Sequence, residues 1–328
     1  MAESLINSIA RLRVIEKKLL TKELVGRLVG ARDYAECVKL LGESGYGAGA
    51  DPGGDEIDSL ITAQLNETYA TVEELMPKRY SAVTDVFRMR HDVINVKLLY
   101  KLRLLGAELD HAKLDQGGVY DGEKLRAAIK KGDYSMLPRE LKEALEELDV
   151  ITYKTADPRT VSCRVDCAFI SYALGLRNAF VKEYFGALAD FTNMLSVIRR
   201  FPEEAFLPGG AYKEEELKAV SAALEEDPER AAGLIKSPLE TGALKEKMRE
   251  CFAEYVKTGH TAVIEKARDE YLIALASEHR SDIDSPAPIV GYLLAREREA
   301  EVVRLILTAK RSGIPMEAIE ERSLTLYG

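Results

Sequence analysis

An all-α fold is predicted by three features of this sequence: helical periodicity from end to end, a single β-branched run with no second run to pair with, and a charged pattern that recurs on successive predicted helices. Apolar residues return at helical spacing in Ile6, Ile9, Leu12, Ile15, Leu19 and Leu20. They do so again in Val86, Met89, Val93, Val96, Leu99 and Leu102, and in Leu217, Val220 and Leu224. Each run predicts an amphipathic helix with one face toward a core. The lone strand candidate, Val150-Ile151-Thr152-Tyr153, reads as a connector, because an isolated strand leaves its backbone unpaired. Breaks are predicted at Gly42 to Gly54, Gly117-Gly118, Asp157-Pro158, Pro202 to Gly210, Asp227-Pro228 and Pro286 to Pro288, leaving bundles of helices between them.

The recurring pattern carries the most information. Asp92 is followed by Asn95, Lys97, Arg103 and Gly106; Glu299 is followed by Val302, Arg304, Lys310 and Gly313. Acid, base five later, base eleven later and glycine fourteen later share one spacing. Between them lie Asp190 and Asn193, with Arg199 and Arg200 beyond. A second echo sets Arg32-Asp33-Tyr34 against Gly132-Asp133-Tyr134. A triplicated unit of about a hundred residues accounts for both, with repeats at 1–116, 117–206 and 207–328. At 3.6 residues per turn, positions n, n+3 and n+11 lie on one helix face, so Asp92, Asn95 and Arg103 point the same way. Such a face has two roles open to it: tying the helix to its own bundle, or offering a repeated docking surface. The docking candidates are Arg88, Arg90, Asp92, Asn95, Lys97, Arg103, Asp190, Asn193, Arg199, Glu299, Arg304 and Lys310.

Composition bounds the function. The 328 residues are 46% hydrophobic and 31% charged, with formal net charge -9 and no tryptophan. A chain-wide attraction to phosphate backbones is disfavoured, so nucleic acid is not an expected partner. Charge is nonetheless polarised. Seven bases face two acids between Lys78 and Gly106, whereas nine acids face two lysines between Glu203 and Glu229. Complementary fields of that kind guide docking between subunits. No apolar run reaches the roughly 18 residues that a transmembrane helix needs; the richest, Ala168 to Phe180, is broken by Arg177. The first residues lack the basic and apolar regions of a signal peptide, and four cysteines suit a reducing compartment, so a cytoplasmic location is expected.

Catalytic readings lack their partners. His91-Asp92 has the look of a metal-dependent phosphohydrolase pair, yet His91 is the first histidine and the upstream ligand is missing. Cys163 and Cys167, spaced i, i+4, have no further His or Cys near enough to complete a zinc site; with Cys37 and Cys251 they read as core thiols. Gly42 to Gly54 contains no Gly-Lys-Ser/Thr and reads as a flexible loop rather than a phosphate cradle. His111, His260 and His279 have no Glu-x-x-His context, and the fifteen tyrosines are scattered along helices as packing residues. No catalytic residue, cofactor or metal is expected.

The run Pro288-Ile-Val-Gly-Tyr292-Leu-Leu-Ala-Arg296-Glu297-Arg-Glu299-Ala-Glu-Val-Val-Arg304, ending at Lys310 and Gly313, resembles the closing motif of the C subunits of V/A-type ATPases, relatives of the d subunits of eukaryotic V-ATPases. The Asp92-x-x-Asn95 and Asp190-x-x-Asn193 segments are similar to that family's first and second repeats. Arg32-Asp33-Tyr34 through Gly45-Tyr46-Gly47 matches its start. Val302 departs from the pattern, standing where the third repeat usually carries Asn. The resemblance implies three helical bundles in a pseudo-threefold funnel. It also implies a non-catalytic component of the central stalk, on the cytoplasmic face of the membrane. Such a component seats the D and F shaft subunits on the proteolipid rotor ring, with no transmembrane segment of its own. The competing expectation is a cytosolic helical-repeat adaptor.

Overall fold

The computed structural model describes residues 4–50, 56–152, 157–201, 205–235, 242–315 and 325–327. Among them every regular element is helical. In chain order these are α1 (Leu5–Ile15), α2 (Lys22–Gly30), α3 (Tyr34–Glu43), α4 (Glu56–Leu75), α5 (Ser81–Leu104), α6 (Gly122–Lys131) and α7 (Arg139–Thr152). There follow α8 (Pro158–Gly175), α9 (Ala179–Ile198), α10 (Glu214–Glu226), α11 (Pro228–Leu234), α12 (Gly242–Thr258), α13 (Ala262–Glu278) and α14 (Ala287–Ser312). Three of the predicted breaks, Asp157-Pro158, Asp227-Pro228 and Pro286 to Pro288, become helix starts, while Gly42 to Gly54 and Pro202 to Gly210 lie partly outside the described residues. Asp33 accepts the Glu36 N–H at the start of α3, Asp121 accepts the Lys124 N–H at α6, and Asp157 and Asp227 cap α8 and α11 with proline in the first turn.

Two predicted boundaries are corrected. Val150, Ile151 and Thr152 form the last turn of α7 rather than a connector, because Leu141, Leu145 and Leu148 already carry the helix into a core; Tyr153 lies outside the described residues. The periodicity from Ile6 to Leu20 also reads through a break. Helix α1 stops at Ile15, a 3-10 turn spans Glu16–Lys18, and Thr21 caps α2 by accepting the Leu24 N–H. The cause is Glu16, whose buried carboxylate takes hydrogen bonds from Arg13 (2.7 Å) and Arg280 (3.1 Å), an arrangement that only the folded chain supplies.

The chain divides into two compact units, one of residues 1–84 with 273–328 and one of residues 85–272. In the first, α14 is the central element. Its faces are buried nearly all round, and Val302, Val303, Ile306 and Leu307 pack with Leu28, Cys37, Leu41 and Ile57. The N-terminal helices therefore share a core with the last long helix. In the second unit α9 holds the corresponding place, with Phe191, Met194 and Val197 against Leu217, Val220, Met248 and Phe252. Phe87 of α5 meets Phe180, Tyr184 and Phe185 with ring centroids 5.7, 4.9 and 5.1 Å away, which ties α5 to α9 through an aromatic cluster.

Helices α5, α9 and α14 end alike. Just beyond each C-terminus an N–H bonds back five residues: Ala107 to Leu102, Phe201 to Ser196, Ile314 to Ala309. That closure needs a left-handed residue, supplied by Gly106 (φ 64°), Arg200 (φ 55°) and Gly313 (φ 66°). The repeated glycine of the sequence pattern is thus a helix stop.

Candidate functional site

On α5, Asp92 and Asn95 face the segment that leads into α6. The Val119 and Tyr120 N–H groups donate to the two oxygens of Asp92 (2.7 and 3.3 Å). Asn95 donates from Nδ2 to the Asp115 carbonyl and accepts the Asp115 N–H at Oδ1, both at 2.8 Å. Arg88 donates to the carbonyls of Gly117 (3.2 Å) and Gly118 (2.7 Å). A Cβ at Gly118 would stand 2.1 Å from an Asp92 oxygen, so only glycine lets this backbone lie on the carboxylate. In the last turn of α5, Arg103 donates to the Ile129 carbonyl at the C-terminus of α6 (2.7 Å) and pairs with Asp149. Asp92 therefore holds the entrance of α6 and Arg103 its exit.

The arrangement recurs on α9. The Ala211 and Tyr212 N–H groups donate to Asp190 (2.8 and 3.1 Å), and Asn193 exchanges two bonds with the Leu207 backbone (2.9 and 2.6 Å). A Cβ at Gly210 would lie 2.2 Å from Asp190. Tyr212 immediately precedes the N-cap of α10, as Tyr120 precedes that of α6. On α14 the same task has another chemistry. Glu299 accepts the Leu20 N–H (2.6 Å), one residue before the N-cap of α2, and its second oxygen takes Arg296 Nη1 (2.7 Å). Lys310 donates to the carbonyls of Val29 (2.8 Å) and Ala31 (2.5 Å), closing the far end of α2. Val302, at the position of the two asparagines, is buried in the apolar core instead.

All twelve candidates thus have partners inside their own unit. Asp92, Asn95, Asp190, Asn193 and Glu299 are at most 2% exposed and order backbone segments. Half-buried Arg90 donates to the Phe87 carbonyl (2.7 Å), and Lys97 pairs with Asp166 (2.7 Å). Arg199 and Arg304 are exposed and pair with Glu265 (2.8 Å) and with Asp58. Burial raises the pKa of all three clamp acids even though each accepts backbone N–H groups; Asp190, wholly buried, is pushed up to about 6. His91 Nδ1 lies 2.9 Å from Asp115, in the same segment that Asn95 holds. Among the described residues no three His, Cys, Asp or Glu side chains converge as metal ligands. Cys37 and Cys251 are buried, Cys163 and Cys167 half-buried, and burial raises each thiol's pKa, the reverse of what an activated nucleophile needs.

Sequence reasoning missed the residues that make the clamps specific. Gly118 and Gly210 were legible only as loop punctuation, although each follows its acid by twenty to thirty residues and sits in a Gly-Gly pair. Arg296 was legible as part of a motif without a role. Its burial beside Glu299, with side chains 5% and 3% exposed, sets a guanidinium against the clamp carboxylate of α14. The pair of Glu16 with Arg280 left no local signal, since 264 residues separate them.

The chain has known relatives along most of its length. The family profile described as ATP synthase (C/AC39) subunit matches residues 8–322. The C subunit of the A-type ATP synthase of Methanocaldococcus jannaschii is 23% identical, over 97% of this chain and 85% of that protein. Its counterpart from Desulfurococcus is 24% identical, over 95% and 88%. The C subunit of the V-type sodium ATPase of Enterococcus hirae is 21% identical, over 98% of each.

Proposed function

The chain belongs to the ATP synthase (C/AC39) subunit family, whose members are accessory rather than catalytic parts of a rotary ATPase, and from this we propose that it couples the rotating shaft to the membrane rotor. In this reading it is a socket. Three repeats, 1–116, 117–206 and 207–328, form a pseudo-threefold funnel that receives the tip of the D and F subunits and rests on the proteolipid ring. Torque from ATP hydrolysis then reaches the ring through it, or returns from the ring during synthesis.

The observation that carries the proposal is the repeated clamp. A coupling element performs no bond chemistry but must resist shear, and α5, α9 and α14 each grip the backbone at the entrance of a shorter helix with a buried carboxylate. Bonds to backbone fix orientation more tightly than contacts between long side chains, because fewer rotors are left free. No helix among the described residues is long and apolar enough to cross a membrane, and the seat in this reading is peripheral, on the cytoplasmic face. With the buried candidates committed to their clamps, the exposed Arg199 and Arg304 are the ones proposed to meet partners directly.

The test is association. The purified chain is expected to bind a D/F pair and a detergent-solubilised proteolipid ring at low ionic strength, more weakly as salt rises, and not to bind ATP. Retention of neither partner sinks the proposal.

A further inference from the structure

A cavity of about 240 Å³ lies within the unit built from both chain ends, and the clamps do not account for it. Its walls come from the segment before α2, the turns after α3, the middle of α4 and the helix α14. The α4 residues among them, Gln64 and Glu67, stand about 12 and 17 Å along the helix axis from its first residue. The cavity is thus set against the middle of α4, away from the end where the chain enters that helix. Its volume equals that of about eight water molecules, which is room for a small organic molecule.

The interior offers hydrogen-bond donors that the fold does not use. Tyr46 is 3% exposed, and its hydroxyl has no partner among the described residues. Burial, with Glu299 adding to it and Arg296 opposing it, raises the pKa of this phenol, so it stays a neutral O–H donor. Arg296 donates from Nε to Tyr292 (3.2 Å) and from Nη1 to Glu299 (2.7 Å), which leaves Nη2 without a partner among the described residues. Gln64 Nε2 has only a 3.5 Å contact, to exposed Glu67. The buried acceptors, by contrast, are spent. Gln64 Oε1 takes the Gly47 N–H (3.2 Å), and the two oxygens of Glu299 take Leu20 and Arg296. A buried hydroxyl left without an acceptor is costly, and the cavity beside it is where an acceptor can enter.

We infer that this cavity is a binding site for a small monocarboxylate, whose oxygens accept from the Tyr46 hydroxyl, Arg296 Nη2 and Gln64 Nε2. Donors without free acceptors select a ligand that presents oxygens. Charge limits how much it carries. Glu299 already neutralises Arg296, and exposed Lys18 is the other base in the wall, with no acid paired to it among the described residues. A single negative charge is therefore matched by Lys18, whereas a phosphate dianion would bring a second charge against Glu67 and Glu299. The site needs only the fold of this one unit and does not depend on the coupling reading.

Acetate and lactate are the probes, titrated into the full-length chain by calorimetry against sodium chloride at equal ionic strength. The parent should bind both saturably, and hydrogen exchange at the Leu20 and Gly47 amides, which Glu299 and Gln64 hold, should slow on binding. Tyr46→Phe removes only the unpartnered hydroxyl, so it should leave the melting temperature without ligand unchanged and weaken carboxylate binding about tenfold. Lys18→Gln alters an exposed side chain and should weaken binding by less, and only at low salt. A response to acetate and lactate no different from that to chloride would mean that the cavity holds water only, and would overturn the inference. So would binding that Tyr46→Phe leaves at full strength, or binding that leaves exchange at both amides unchanged. Tighter binding of inorganic phosphate than of either carboxylate would overturn it as well.

Discussion

The entrances of α6 and of α2 present the same backbone task, and the two units solve it differently. In the 85–272 unit, Asp92 is short, Gly118 lets the backbone settle on it, and Asn95 adds two neutral bonds. In the unit built from both chain ends, Glu299 reaches farther and accepts one N–H, and Arg296 neutralises its other oxygen. The difference teaches where each unit is vulnerable. A clamp of backbone and amide groups loses stability in single hydrogen bonds, whereas a buried ion pair fails all at once when one charge is left alone.

The largest effect should come from that asymmetry. Arg296→Met leaves Glu299 buried and unpaired and is expected to cost about 3 to 5 kcal/mol in denaturant unfolding, while the double change with Glu299→Leu recovers much of it. An equal loss in single and double variants would show that the ion pair is not what holds α2. Next in size is a pH effect. Asp190 titrates near 6 in the fold, above the usual carboxylate range, so the folded state holds its proton more tightly than the unfolded state. Its contribution is present in full below about pH 4 and is lost as pH rises through about 6, a change of about 3 kcal/mol. Asp190→Asn should flatten the stability profile across that window, measured as unfolding midpoint against pH.

Smaller changes refine the comparison. Gly118→Ala pushes a methyl group into Asp92 and should cost about 2 kcal/mol, whereas Gly26→Ala, where an added Cβ meets nothing, should not destabilise. Arg200→Gly should stabilise by about 0.5 to 1 kcal/mol, since it relieves the one left-handed non-glycine residue among the three helix stops; a neutral or negative result would mean the Arg200 side chain contributes contacts of its own. Arg304→Ala, which breaks a half-exposed pair with Asp58, should stay below about 1 kcal/mol in thermal unfolding.

Much of this molecule was settled by local sequence. The all-α class, the capping aspartates, the glycine stops at 106 and 313 and the long helices that carry Asp92, Asp190 and Glu299 follow from side-chain period and backbone preference, which act within a few residues. The spacing of acid and base eleven apart was likewise legible; that it spans the two ends of a short helix was not. Tertiary structure alone decided that Leu20 meets Glu299, that Gly118 lies on Asp92, and that Glu16 ends α1 by drawing in Arg280. Those outcomes depend on which buried charge finds a partner when distant segments pack. A carboxylate removed from water must be satisfied by whatever donors the fold brings to it, and no pattern along the chain encodes which ones arrive.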